Sequence, residues 1–116
     1  MAYESIYESF EVPRTGGNHL RVIFNKAGVL AGVDQPELYF FEVNGERAIV
    51  AVEGGALGKW QKANRYLNRE EKIDVAGLFL KRAIESSEVE AKDLKLMVAE
   101  AELEEMVASL GLAAKR

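Results

Sequence analysis

At 116 residues the chain is long enough for one domain with a real core and too short for two comfortable ones. Hydrophobic residues at 48% and charged residues at 29% give the balance of a globular protein, which excludes a disordered tail; no run approaches the ~20 apolar residues that span a bilayer. The net charge of −4 is unevenly placed: residues 1–83 carry 11 Lys/Arg and 11 Asp/Glu, residues 84–116 carry 4 and 8, so a neutral body with local basic patches precedes an acidic segment.

The first half reads as strands. Ser9–Val12, Leu20–Asn25, Leu38–Val43 and Arg47–Glu53 are rich in β-branched and aromatic residues and bounded by turn formers. Asn44-Gly45 suits the two positive φ angles of a type I′ turn, so strands three and four should form an antiparallel hairpin. Residues 13–18 and 34–36 are breaks, and residues 27–33 read equally as a helical turn or as more strand. In Leu38-Tyr39-Phe40-Phe41-Glu42-Val43 both parities are apolar. The second face of that sheet should therefore meet another layer, a partner chain or a ligand such as stacked bases.

After Gly54-Gly55 the periodicity becomes helical. Ala56, Trp60, Ala63 and Leu67 form a buried stripe, and Lys59, Lys62, Arg65 and Tyr66 occupy the other side, where cations around an aromatic ring suit phosphates and a stacked base. A solvated face is the plainer reading of the same pattern. Gly54-Gly55-Ala56-Leu57-Gly58-Lys59 lacks the spacing of a phosphate-binding loop and reads as a strand-to-helix turn. A second helix opens on a capping-box pair, Asn68 and Glu71, with Ile73, Ala76, Gly77, Leu80, Ala83 and Ile84 as its core stripe.

A third helix is expected from the capping box Ser87-x-x-Glu90. Val89, Leu96, Leu103 and Leu110 recur every seven residues, with Lys92, Ala99 and Met106 between them. Leu96, Ala99, Leu103, Met106 and Leu110 are thus the expected seam of a zipper that makes a homodimer. Packing of this helix against its own sheet is the competing reading. The expected fold is α+β: a four-stranded, mainly antiparallel sheet, packed helices and a C-terminal leucine-zipper-like helix, divided into a body (1–86) and a dimerisation element (87–116).

Catalytic chemistry has little to stand on. His19 has no sequence partner to orient it, the serines lack a nucleophile elbow, and the acidic clusters suit helix capping. A non-enzyme without metal or cofactor is expected. The absence of cysteine removes disulfides and thiolate metal sites. The acidic start, residues 1–11, is unlike a signal peptide, and a cytoplasmic address without membrane association is expected.

Four short strands, packed helices, a basic-aromatic surface and a terminal leucine repeat resemble the ThermoDBP-like archaeal single-stranded-DNA-binding proteins. That resemblance covers nearly the whole chain. It implies a sheet-lined cleft for a single strand and a zippered dimer, with Tyr39 and Phe41 as the stacking surface and Arg14, Arg21, Lys26 and Arg47 as flanking charge. Locally, Ile23-Phe24-Asn25-Lys26-Ala27-Gly28-Val29-Leu30-Ala31-Gly32-Val33, followed by Asp34-Gln35-Pro36-Glu37, is similar to the swapped-hairpin pattern of AbrB-type regulators, with Phe24 at the pattern's proline and Gly28 at its arginine. That likeness implies a duplex-DNA regulator. The leading expectation is a non-catalytic binder of single-stranded nucleic acid, with the AbrB-type regulator and a protein-assembly factor as alternatives.

Overall fold

The computed structural model describes residues 4–13, 19–29, 35–86 and 94–112. These form β1 (Ser9–Pro13), β2 (His19–Val29), β3 (Glu37–Val43), β4 (Glu46–Val52), α1 (Gly54–Ala63), α2 (Arg69–Glu85), β5 (Leu94–Val98) and α3 (Glu100–Ser109). The α+β class is as expected, with five strands among the described residues in place of four. Sheet order follows the chain: β1 to β4 form an antiparallel meander, and β5 returns parallel to β4 after the two-helix crossover.

Asn44 and Gly45 adopt φ of 50° and 87°, as a type I′ turn requires, and Val43 opposes Glu46 across it. The Asn44 side chain also accepts a hydrogen bond from the Arg21 amide at 2.7 Å, tying the hairpin to β2. One side of the sheet is a packed layer: Val12, Val22, Phe24, Tyr39, Phe41, Val43, Ala48, Val50, Val52, Leu94 and Val98 are all buried. Three helices cover that side, so the opposite side has no layer over it among the described residues.

α2 is the central element of the helical layer. Asn68 accepts from the Glu71 amide at 2.8 Å and Glu71 accepts from the Asn68 amide at 2.9 Å, which completes the expected capping box. Ile73, Leu80 and Ile84 are fully enclosed. So is Asp74, whose carboxylate accepts from the Ser5 hydroxyl at 2.6 Å and from the amides of Ile6 at 3.0 Å and Tyr7 at 2.9 Å. A buried carboxylate is tolerated only with such donors, and here they fasten the N-terminal segment to α2.

The C-terminal zipper is corrected. Leu96 lies on β5, Ala99 is the N-cap of α3, and Leu103 and Met106 are at most 1% exposed within the core. The physical reason is that Leu94, Leu96 and Val98 alternate with period two, so parallel pairing with Ala48, Val50 and Val52 brings all three against the helices. A continuous helix would leave that edge of β4 unpaired. Leu110 packs on the same core. Segment 94–112 is consequently part of the body, with α3 packed on α1 and α2, rather than an appendage. Val89, Lys92 and the Ser87 to Glu90 capping box lie outside the described residues. No helix among the described residues is long and apolar enough to cross a membrane.

Candidate nucleic-acid interface

Strand alternation decides which side chains are available. Tyr39 and Phe41 were the expected stacking surface, but they are 3% and 0% exposed beneath the helices. The tyrosine hydroxyl donates to Glu37 at 2.7 Å, and burial together with that carboxylate pushes its pKa far upward. Both residues are corrected from candidate site to core. Their neighbours Leu38 and Phe40 point the other way, into the uncovered side, and are only half-buried.

The uncovered side takes one residue in two from each strand. In register it places Ile23 beside Glu42, Lys26 beside Phe40, Phe40 beside Ile49, and Ile49 beside Lys95. A bulge at Asn25 makes this possible, because the extra residue between Phe24 and Lys26 lets Phe24 stay inside while Lys26 opposes Phe40. Lys26 Nζ sits 5.4 Å from the Phe40 ring centroid. Ile23 and Met97, 40% and 49% exposed, extend the apolar strip to either side.

Two shallow grooves meet at Arg47. One, of about 330 Å³, is lined by Lys26, Phe40, Glu42 and Arg47 among others; the other, of about 460 Å³, lies between Arg47, Ile49, Leu94 and Lys95. The face holds four cations, Arg21, Lys26, Arg47 and Lys95, against two carboxylates, Glu11 and Glu42, for a net +2 on a chain of net −4. Glu11 engages Arg21 at 3.4 Å and His19 at 3.3 Å. Lys26, Arg47 and Lys95 have no carboxylate partner among the described residues.

The basic patch expected on the first helix is largely neutralised. α1 ends at Ala63, so Arg65 and Tyr66 lie in the connection to α2, and Ala63 is exposed rather than buried. Lys59 bonds Glu100 at 2.9 Å, which raises the lysine pKa. Arg65 grips Glu71 with both terminal nitrogens, at 3.0 and 2.9 Å. Arg69 lies 3.4 Å from Glu70 and above the Phe24 ring. Lys62 and Tyr66, the latter 83% exposed, are what remains of that patch for a ligand.

The structure therefore brings Arg21, Lys26 and Arg47 together and separates them from Lys59, Lys62, Arg65 and Tyr66 on the helical side. Arg14 lies outside the described residues. Phe40, Ile49, Lys95 and Met97 were missed in the sequence, although the period-two alternation Leu94-Lys95-Leu96-Met97-Val98 carried a signal for the last pair. No group of three or more His, Asp or Glu is placed to hold a metal among the described residues. No family model, curated protein or solved structure matches the chain.

Proposed function

We propose that this protein binds single-stranded nucleic acid in the cytoplasm, across the uncovered face of its sheet and without covalent chemistry. The observation that carries the reading is the placing of three cations without a carboxylate partner on one face: Lys26 and Arg47 line a groove with the partly buried Phe40 ring, and Lys95 lies across Ile49 in the adjoining groove at Arg47. Such a face offers phosphates cations that need not first give up a carboxylate, and it offers a base an aromatic ring once Lys26 swings from its place over Phe40 to a phosphate. An unstacked strand suits it better than a duplex, whose bases present edges rather than faces.

The test is anisotropy of labelled single-stranded and duplex oligonucleotides at two salt concentrations. Salt-sensitive binding to the single strand is expected, and Phe40→Ala should weaken it about tenfold, since one stacked base contributes ~1–3 kcal/mol. Preference for a specific duplex would instead support the AbrB-type reading. Absence of binding to either at low salt overturns both. The apolar strip Ile23, Leu38, Ile49 and Met97 favours a second reading, a protein-assembly surface, and a salt-insensitive protein complex without oligonucleotide affinity would establish it.

A further inference from the structure

β5 is the last strand of the sheet, and the hydrogen bond from the Glu53 amide to the Val98 carbonyl fixes the phase of its ladder with β4. In a parallel ladder a residue that bonds its neighbour does so with both its N–H and its C=O, and alternate residues point away. Leu94, Leu96 and Val98 therefore face β4, leaving the N–H and C=O groups of Lys95 and Met97 directed at the free edge. Among the described residues no strand pairs there. The opposite edge, β1, differs in ending on Pro13, which has no N–H to offer a further strand.

We infer that the partner for this edge is a second copy of the chain, whose β5 pairs antiparallel about a twofold axis through Leu96. The register follows from charge and geometry. Hydrogen-bonded pairs must form between outward-pointing residues, so the axis passes through Lys95, Leu96 or Met97. Centring on Lys95 sets two ammonium groups face to face. Centring on Met97 opposes Lys95 to the partner's Ala99, where the strand has ended. Centring on Leu96 opposes Lys95 to the partner's Met97 twice over and Leu94 to the partner's Val98, with the two Leu96 side chains meeting beneath the sheet.

The dimer is then one ten-stranded sheet whose inner side stays apolar throughout. On its uncovered side each Arg47-Ile49-Lys95 groove runs on to the partner's Met97, so the two candidate strand-binding faces become continuous. Self-association of this kind does not depend on nucleic acid, and its failure would leave the binding proposal standing.

Sedimentation velocity on the full chain, without oligonucleotide, tests it. Met97 is half exposed on the solvent side, so its replacement leaves the core intact. Met97→Lys sets like charges opposite each other in two symmetric pairs and should weaken the dimer about tenfold or more. Met97→Glu should preserve or tighten it, and Lys95→Glu combined with Met97→Lys should restore it. Hydrogen exchange gives a second readout: the Lys95 and Met97 amides should be slow in the dimer and fast in Met97→Lys. A wild-type monomer at all concentrations, a dimer indifferent to Met97→Lys, or equal loss in the Lys and Glu variants would overturn the inference.

Discussion

Phe40 and Phe41 are neighbours in sequence with opposite fates, and the cause is the alternation of a strand beneath a single layer of helices. That both parities of β3 are apolar was visible in the sequence, and so was the pairing of Leu38 with Phe40. Which parity the helices would cover was not, because it depends on where the chain goes after β4. Glu71 shows the reverse case, a residue whose local role could be read in advance while its long-range partner could not. Its place in the capping box follows from spacing; its grip on Arg65 needs the irregular connection after α1. Burial acts to raise the Glu71 pKa, but the Arg65 guanidinium and the Asn68 amide outweigh it and hold the carboxyl below its ordinary value. A depressed carboxylate stabilises the fold above its unfolded-state pKa and loses that contribution as pH falls through the folded one. Glu71→Gln should therefore cost about 2 kcal/mol at neutral pH in urea melts, and the gap to the wild type should narrow as pH drops through the acid range. A gap of constant size would show that the charge contributes nothing.

Among the elements, those specified by neighbouring residues were legible and those specified by distant pairing were not. The β3–β4 hairpin rests on two turn residues, and α2 rests on its cap and its stripe. β5 is different. Its partner is more than 40 residues away, its residues include strong helix formers, and the heptad spacing of Leu96, Leu103 and Leu110 comes from two elements that share a core. The same limit hid the contact between α2 and the N-terminal segment. Helical spacing puts Gly77 in the core stripe of α2, yet a Cβ there would stand 2.6 Å from the Tyr7 Cβ and 3.0 Å from its carbonyl oxygen. Alanine favours a helix over glycine by ~1 kcal/mol, so Gly77→Ala sets that gain against displacement of the segment anchored on Asp74. Because the obstacle includes backbone, displacement should dominate, with a net loss of about 1–2 kcal/mol. Faster hydrogen exchange at Ile6 and Tyr7, with α2 amides still protected, is the expected signature; unchanged exchange at both would mean the segment yields without cost.

At the scale of the whole molecule, charge is sorted by the sheet rather than by position along the chain. The sequence divides into a neutral body and an acidic remainder, but folding takes Lys95 out of that remainder and sets it on a face with Lys26 and Arg47. The face gains net +2 while the rest of the chain is left at −6, an asymmetry that total charge conceals and that would orient an approaching polyanion. Salt dependence discriminates between this face and the helical patch. Each phosphate neutralised on a single strand contributes about 0.7 to the slope of log affinity against log salt, so replacing Lys26, Arg47 and Lys95 together by Ala should flatten the slope by about 2. Replacing Lys59, Lys62 and Arg65 should leave it nearly unchanged, because Lys59 and Arg65 are already held by Glu100 and Glu71. The opposite result would put the strand across the helices. Phe40 would then be a surface ring with no ligand, and Tyr66 would be the residue to replace.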